Sequence, residues 1–350
     1  MTTKRNLRPR RLAIPGIVLA AAGALLGSSA LPSLTGPADR DHAPRALNIL
    51  LMGTDERDTI STAEKHKYHA GGRPCGCTDV LMLVHVSARR DRVSVIGLPR
   101  DSYAEIPPYR YGTGGRKVRP PHPAKLNAAY QEGGPNLAVR TVESMARLNV
   151  DRFVQVDFRR FMNSVDEVGG VEVCTPRPLK DSATRLDLKP GKYRLGGGQA
   201  LQYVRSRHAD GSADLGRIQR QQRFLVQVWR ELKERKLLTR PARTTHLVRT
   251  LLGAGKQGFS IRELAELAAV MHRVPASATE FTTVPIAGFA PGRLGIGSAL
   301  AWDRDRADAL FTEVREDRPL VAKGAQPKPK DPPTVLGSTT PVRGSAYQCH

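Results

Sequence analysis

Short apolar runs separated by turn residues organise most of the chain. Residues 46–52, 80–86 and 92–98 are apolar and rich in Val, Ile and Leu, with Gly, Pro, Asp or Ser at their ends, so each reads as a strand. Residues 153–158 and 281–285 read the same way. Helical spacing takes over in between. Proline starts a helix over 135–148, because its fixed φ suits a first turn whose N–H groups lack partners anyway. Another helical stretch runs on to about Val168 and stops at the turn Gly169-Gly170. The longest helix covers 214–238, where Ile218, Leu225, Trp229 and Leu232 recur on one face. Further helices fall at about 242–254, 261–273 and 303–314. Strands alternating with helices, without an internal repeat, predict α/β: a single α/β/α sandwich with a central mixed sheet.

The two ends follow other rules. Residues 1–11 hold Lys4, Arg5, Arg8, Arg10 and Arg11 and no acid, and no charge follows from Leu12 to Ala38. As a helix, the apolar run 14–31 would be roughly 27 Å long, just short of a ~30 Å hydrocarbon core. The expected order is a basic cytoplasmic segment (1–11), a transmembrane anchor (12–34) and a linker (35–45), with everything beyond lying outside the cell by the positive-inside rule. A cleaved signal peptide, cut near Ser28-Ser29-Ala30, is the competing reading. The folded body is expected over 46–320, and the Pro-rich, weakly apolar 321–350 as a disordered tail.

Composition narrows the class. Of 350 residues, 55 are Lys or Arg and 33 Asp or Glu, a formal charge of +22. A chain of this length builds a core without staples, so small disulfide scaffolds are excluded, and the apolar share argues against wholesale disorder. The surplus points to an anion: nucleic acid, an anionic membrane or a phosphorylated substrate. No helix-turn-helix or aromatic RNA-binding motif is present, which counts against nucleic acid. In an oxidising compartment Cys75, Cys77, Cys174 and Cys349 should pair. A Cys75–Cys77 ring is very tight and Cys349 is penultimate, so Cys174 is expected to join Cys75 or Cys77. A zinc site is the rival, but the sequence offers no CxxC and no His pair at the usual ligand spacing.

Candidate chemistry gathers at predicted strand ends. Asp55 follows one strand and Asp79 precedes another, and two carboxylates together with a phosphate suit Mg²⁺. Arg100 stands where a strand stops at Pro99 and presents a planar fork to phosphate oxygens. Lys125 lies near a helix start, a poor place for a cation unless an anion is beside it. Arg205 and Arg207 leave a short helix beginning near Gly198. Arg217 and Gln221 share a face in the first turns of the long helix, with Asp214 as its N-cap. Arg220 and Arg223 fit a solvated outer face.

In this order, the segments Asn48-Ile49-Leu50-Leu51-Met52-Gly53-Thr54-Asp55, Thr78-Asp79-Val80-Leu81-Met82-Leu83, Leu98-Pro99-Arg100-Asp101-Ser102, Lys125-Leu126-Asn127-Ala128-Ala129-Tyr130, Val168-Gly169-Gly170-Val171 and the Arg205–Gln222 cluster resemble the LytR-CpsA-Psr family. The resemblance covers about residues 46–320. It implies an extracytoplasmic sandwich on one membrane anchor. The implied enzyme is a Mg²⁺-dependent phosphotransferase that moves a phosphate-linked glycopolymer from a polyprenyl pyrophosphate carrier to peptidoglycan. It further implies that Asp55 and Asp79 hold Mg²⁺ and that Arg100, Lys125, Arg205, Arg207, Arg217 and Gln221 bind the pyrophosphate, with Asp55, Asp79, Arg100 and Arg217 as the catalytic set. A prenyl groove would draw on Phe153, Phe158, Phe161, Leu225 and Trp229. Tyr103 and Ala104 stand where some relatives carry another basic residue. Insertions at 64–73, before Cys75-Gly76-Cys77, and at 107–123 look like long loops near the site entrance that tune the glycan or acceptor. A non-catalytic binder of anionic wall polymer and a carrier pyrophosphatase are the remaining alternatives.

Overall fold

A computed structural model describes residues 45–349 apart from 73–74, 210, 238–240, 253–258, 260, 293–294 and 331–339. The expected leader, anchor and all but the last residue of the linker lie outside the described residues. Among the described residues no helix is long and apolar enough to cross a membrane.

In chain order, β1 (Leu47–Thr54) leads through α1 (Thr62–Lys67) to the hairpin β2 (Thr78–Val86) and β3 (Val93–Gly97). A double ribbon follows: β4 (Tyr103–Ile106), β5 (Tyr109–Tyr111), β6 (Lys117–Arg119) and β7 (His122–Lys125), then α2 (Leu126–Ala146). Next come β8 (Arg152–Val156), α3 (Phe158–Glu167), β9 (Val171–Thr175), β10 (Leu179–Asp181), β11 (Leu186–Leu188) and β12 (Gly191–Leu195). Helices α4 (Gly197–Arg205), α5 (Ala213–Glu234), α6 (Pro241–Leu252) and α7 (Ile261–Arg273) precede β13 (Thr279–Thr283), β14 (Ile286–Phe289), β15 (Leu300–Trp302), α8 (Arg304–Arg315) and β16 (Val342–Arg343).

The central sheet runs β16-β13-β3-β2-β1-β8 and is mixed: β8 is parallel to β1 and β13 to β3, and the other neighbours are antiparallel. Alternation along the strands creates two apolar faces. Leu50, Leu81, Leu83 and Ile96 point to one, where α2 and α8 supply Leu137, Val142 and Phe311. Leu51, Val80, Met82 and Val95 point to the other, where α5 and α7 supply Val226 and Val270. Leu50, Leu83 and Ile96 are wholly buried, each contributing about 1.5–3 kcal/mol. A one-residue slip would turn every one of them to the wrong layer, so the register is firmly set.

Four expectations need correction. The helix expected from Pro135 begins at Leu126; Gly133 and Gly134 leave helical geometry, and Pro135 opens the second leg of a broken helix rather than a new one. The strand expected to reach Phe158 ends at Val156, because the Asp157 carboxylate accepts the Arg160 N–H at 2.9 Å and caps α3 there. The disulfides are Cys75–Cys77 and Cys174–Cys349, so Cys174 joins neither Cys75 nor Cys77. Part of the expected tail is ordered: β16 pairs with β13, and the Tyr347 ring lies 5.8 Å from that of Phe281. Cys174 on β9 ties down the far end of that segment.

Candidate active site

A register shift between β1 and β2 sets up the site. Gly53 pairs with Val80 and Thr54 with Thr78, leaving Asp79 as an extra residue bulged out of the ladder. Such bulges re-aim a side chain at a sheet end. Gly53 permits this, since a Cβ there would lie 2.9 Å from the Val80 side chain. Asp55 is the next residue beyond β1, so both carboxylates stand at one end of the sheet. The buried hydroxyls of Thr54 and Thr78 have no hydrogen-bond partner.

Cations from four other segments meet these acids. Arg100, just past β3, bonds Asp79. Arg217, in the first turns of α5, lies 2.8 Å from Asp214 and 3.9 Å from Asp79. Arg207 joins Asp214 at 3.1 Å to Asp101 at 3.9 Å, and Lys125 sits 3.2 Å from Asp101 on the other side. Arg205, the last residue of α4, lies 5.0 Å over the Phe158 ring and donates to the His69 carbonyl. Asp55 holds Arg57 at 2.6 Å and accepts the Cys75 N–H at 3.3 Å. Six cations (Arg57, Arg100, Lys125, Arg205, Arg207, Arg217) thus face four carboxylates (Asp55, Asp79, Asp101, Asp214), a surplus of two positive charges.

The electrostatics identify where an anion is wanted. Burial pushes the Arg217 pKa down, Asp214 and Asp79 offset only part of that, and its Nε–H has no partner. Arg205 is lowered as well, first by burial and then by Arg57, against the pull of Asp79 and Asp55. Arg100 goes the other way: burial lowers it, and Asp79, Asp101 and Asp214 together outweigh the burial. A guanidinium stays protonated regardless, so each downward shift reflects, first of all, a positive charge held away from water, where an incoming anion is favoured.

Beneath these charges runs an apolar cavity of about 310 Å³ between the sheet and α3, α4, α5, α6 and α7. Leu51, Val165, Phe224, Leu247 and Met271 are among its walls, and Asp79, Asp157, Arg205, Arg217 and Gln221 are among its charged and polar contributors. Of the residues expected to form a prenyl groove, Phe158, Phe161 and Leu225 line it. Phe153 and Trp229 do not: Phe153 packs in the core under α2, and Trp229 packs beside α7, donating to the Met271 carbonyl.

The structure therefore brings Asp79, Arg100, Arg205, Arg207, Arg217 and Gln221 together, with Asp55 and Lys125 at the margins. Gln221 spends its amide N–H on the Val204 carbonyl at 3.0 Å, so it offers its oxygen. Asp214 is not the N-cap expected of it; Ser212 holds that position and Asp214 binds two arginines. Arg220 is buried rather than solvated, donating to the Ser206 carbonyl at 2.6 Å, and Arg223 stacks on Tyr347. Sequence reasoning missed Arg57, Asp101 and Asp214 as partners of the site. Asp101 directly follows Arg100, and that adjacency was the available signal.

Asp55 and Asp79 present hard oxygen donors of the kind Mg²⁺ prefers, and the two orphan hydroxyls beside them add to the set, so these residues fit the ion. Among the described residues, the grouping of three close His, Cys, Asp or Glu ligand atoms is Glu172 with Cys174 and Cys349, and both of its sulfurs are in a disulfide.

The sequence model of the LytR_cpsA_psr family matches residues 31–316. A probable cell wall biosynthesis protein LcpB of Corynebacterium glutamicum is 33% identical over 282 residues, covering 80% of this chain and 63% of that protein. A polyisoprenyl-teichoic acid–peptidoglycan teichoic acid transferase TagU of Oceanobacillus iheyensis is 32% identical over 180 residues, covering 51% of this chain and 49% of the transferase. The chain thus spans about half to two thirds of the length of these relatives. Among solved structures, protein gbs0355 of Streptococcus agalactiae superposes with a TM-score of 0.63 at 22% identity, covering 87% of this chain and 94% of that one.

Proposed function

The chain belongs to the LytR-CpsA-Psr family, and from that membership and its two-ended site we propose that it transfers a phosphate-linked glycopolymer from a polyprenyl pyrophosphate carrier to peptidoglycan. The observation that carries this reading is the junction of an apolar cavity with a mouth of under-compensated arginines. A prenyl pyrophosphate has that same division between a greasy chain and a doubly charged head.

The prenyl chain occupies the cavity along Phe158, Phe161 and Leu225. Its pyrophosphate meets Arg205 together with Arg100, Arg207 and Arg217, the last three of which exchange carboxylate partners for phosphate oxygens without leaving their positions. Such preorganisation is where the gain lies in phosphoryl transfer, since little covalent work falls to the protein. An acceptor hydroxyl attacks the phosphorus that bears the glycan. The bond from that phosphorus to the bridging oxygen breaks, polyprenyl monophosphate leaves, and the hydroxyl proton passes to a carboxylate of the mouth. Asp55 and Asp79 would hold Mg²⁺, which supplies further neutralisation of the charge on the leaving phosphate. An extracytoplasmic body on a membrane anchor at 12–34 would place the site where carrier and wall meet.

The test is transfer itself. Full-length protein, a labelled lipid-linked pyrophosphate glycan, Mg²⁺ and peptidoglycan should yield label in the wall fraction. Arg100→Ala and Asp79→Ala should lower the rate on the order of 10²-fold or more, as losing a preorganised charge does, and chelation should lower it too. Release of glycan phosphate into solution without wall labelling would make the protein a pyrophosphatase, and unchanged rates in the variants would remove the mechanism.

A further inference from the structure

The 107–123 insertion folds into the ribbon β5–β6, which stands out from the site edge. Its register sets Tyr109 opposite Arg119, Arg110 opposite Val118 and Tyr111 opposite Lys117. The base is clamped to α2: Glu132 accepts from the Tyr109 hydroxyl at 2.9 Å, lies 2.9 Å from the His122 ring and 3.3 Å from Arg119. The tip has no such cover. Tyr111 is 44% and Val118 59% exposed, whereas large apolar residues elsewhere in the described chain are almost all covered. From Ile106 to Gln131 there is no acidic residue, yet Arg110, Arg116, Lys117, Arg119 and Lys125 are all present. The Lys117 ammonium sits 6.0 Å from the Tyr111 ring, so cation and aromatic face are side by side.

The ribbon's position says what this surface meets. The apolar cavity lies under the sheet face of Leu51 and Met82, and the ribbon packs with the opposite face, where Tyr109 and Ala124 join the α2 core. Between them the ion pairs Arg217–Asp214–Arg207–Asp101–Lys125 cross the sheet end from one face to the other. Lys125 is the last residue of β7, and the same strand leads back to β6. A substrate with its lipid in the cavity and its pyrophosphate at the mouth must carry its glycan out over the other face, along Lys125 toward Lys117. That path is at most roughly 28 Å of chain.

On the reading given above, we propose that the β5–β6 ribbon is a rail for a phosphate-bearing glycan: Arg110, Arg116 and Lys117 take its phosphates and the Tyr111 ring packs against a sugar face. An anionic lipid surface is the rival partner for Arg, Lys, Tyr and Val, but it would need the ribbon on the side of the cavity that receives the lipid tail.

The experiment compares two lipid-linked donors in the full-length protein, one carrying a short neutral glycan and one a long poly(glycerol phosphate). The triple variant Arg110→Gln, Arg116→Gln, Lys117→Gln alters exposed side chains only, and its melting temperature should match the parent. Its KM for the long donor should rise on the order of tenfold near physiological ionic strength, and that rise should vanish in ~1 M salt. Its KM for the short donor should stay unchanged, and lysine at all three positions should restore the parent value for the long donor. Equal changes on both donors, or no change on either, overturn the rail. Parent protein inactive on both donors would refute the transferase reading instead. Retention of free poly(glycerol phosphate) would then still test the ribbon, because the triple variant must weaken it. Intact polymer retention with loss of binding to phosphatidylglycerol vesicles would assign the ribbon to the membrane and overturn the proposal.

Discussion

Arg217 is more deeply buried than the other cations of the mouth, and its planar fork reaches both Asp214 and Asp79. Lysine at this position keeps the charge but loses the fork, so Arg217→Lys should cut kcat/KM on the order of tenfold to a hundredfold with little change in melting temperature. A steady-state assay beside a thermal melt would check both halves. A second residue-scale prediction concerns pH. Hydrogen bonds from Arg159 first, and then from Ser61, hold the Glu64 carboxyl down at about 2 from an ordinary 4.5. This ion pair therefore stabilises the fold fully above pH 4.5, and its contribution fades as pH falls toward 2. Arg159→Ala should lower the melting temperature at neutral pH, and the difference from the parent should shrink steadily on acidification. At this scale much was legible, because Asp55, Asp79, Arg100, Arg205 and Arg217 each sit in a short recognisable segment. Their partners were harder to foresee. Nothing local about Asp101 says that it bridges Lys125 and Arg207, residues brought to it by separate elements.

Elements hold those residues by a few close approaches. Helix α5 crosses the sheet over β3 at Gly97, where a Cβ would come within 2.5 Å of the Ile218 side chain. Ile218 is β-branched and has no room to rotate away, so Gly97→Ala should cost about 1–3 kcal/mol by overpacking. Because Arg217 and Gln221 ride on the same helix, the variant should lose activity beyond what its stability loss explains. Urea unfolding beside turnover at low temperature would separate the two effects. Strand and helix positions were mostly readable from periodicity, and the misplacements have local causes. Asp157 ended a strand early by capping a helix, and Pro135, a residue that signals a helix start, sits instead after a glycine break. The prenyl-groove set split for a related reason. Phe153 alternates to the α2 side of β8, a facing that the aromatic pattern alone does not reveal.

At the scale of the molecule, the last described residues belong to the fold. Cys174–Cys349 closes a loop spanning 175 positions, and chain-entropy arguments put such a closure at up to about 5 kcal/mol. Mass spectrometry of unreduced peptides should recover Cys75–Cys77 and Cys174–Cys349, and Cys349→Ser should lower the melting temperature by several degrees. A penultimate cysteine in a Pro-rich segment gave no hint of this, since the pairing depends on where β16 docks. The two-ended site is likewise a property of the whole: one sheet end carries the charges, and five helices enclose the cavity. Its most direct test is equilibrium binding of polyprenyl pyrophosphate to the full-length protein, set beside inorganic pyrophosphate and beside the same prenyl alcohol without phosphate. The account predicts that the intact lipid binds at least ~100-fold more tightly than either half, and that Arg217→Ala and a cavity-filling Leu225→Trp each weaken it. Equal affinity for the intact lipid and for pyrophosphate alone, unaffected by Leu225→Trp, would contradict it.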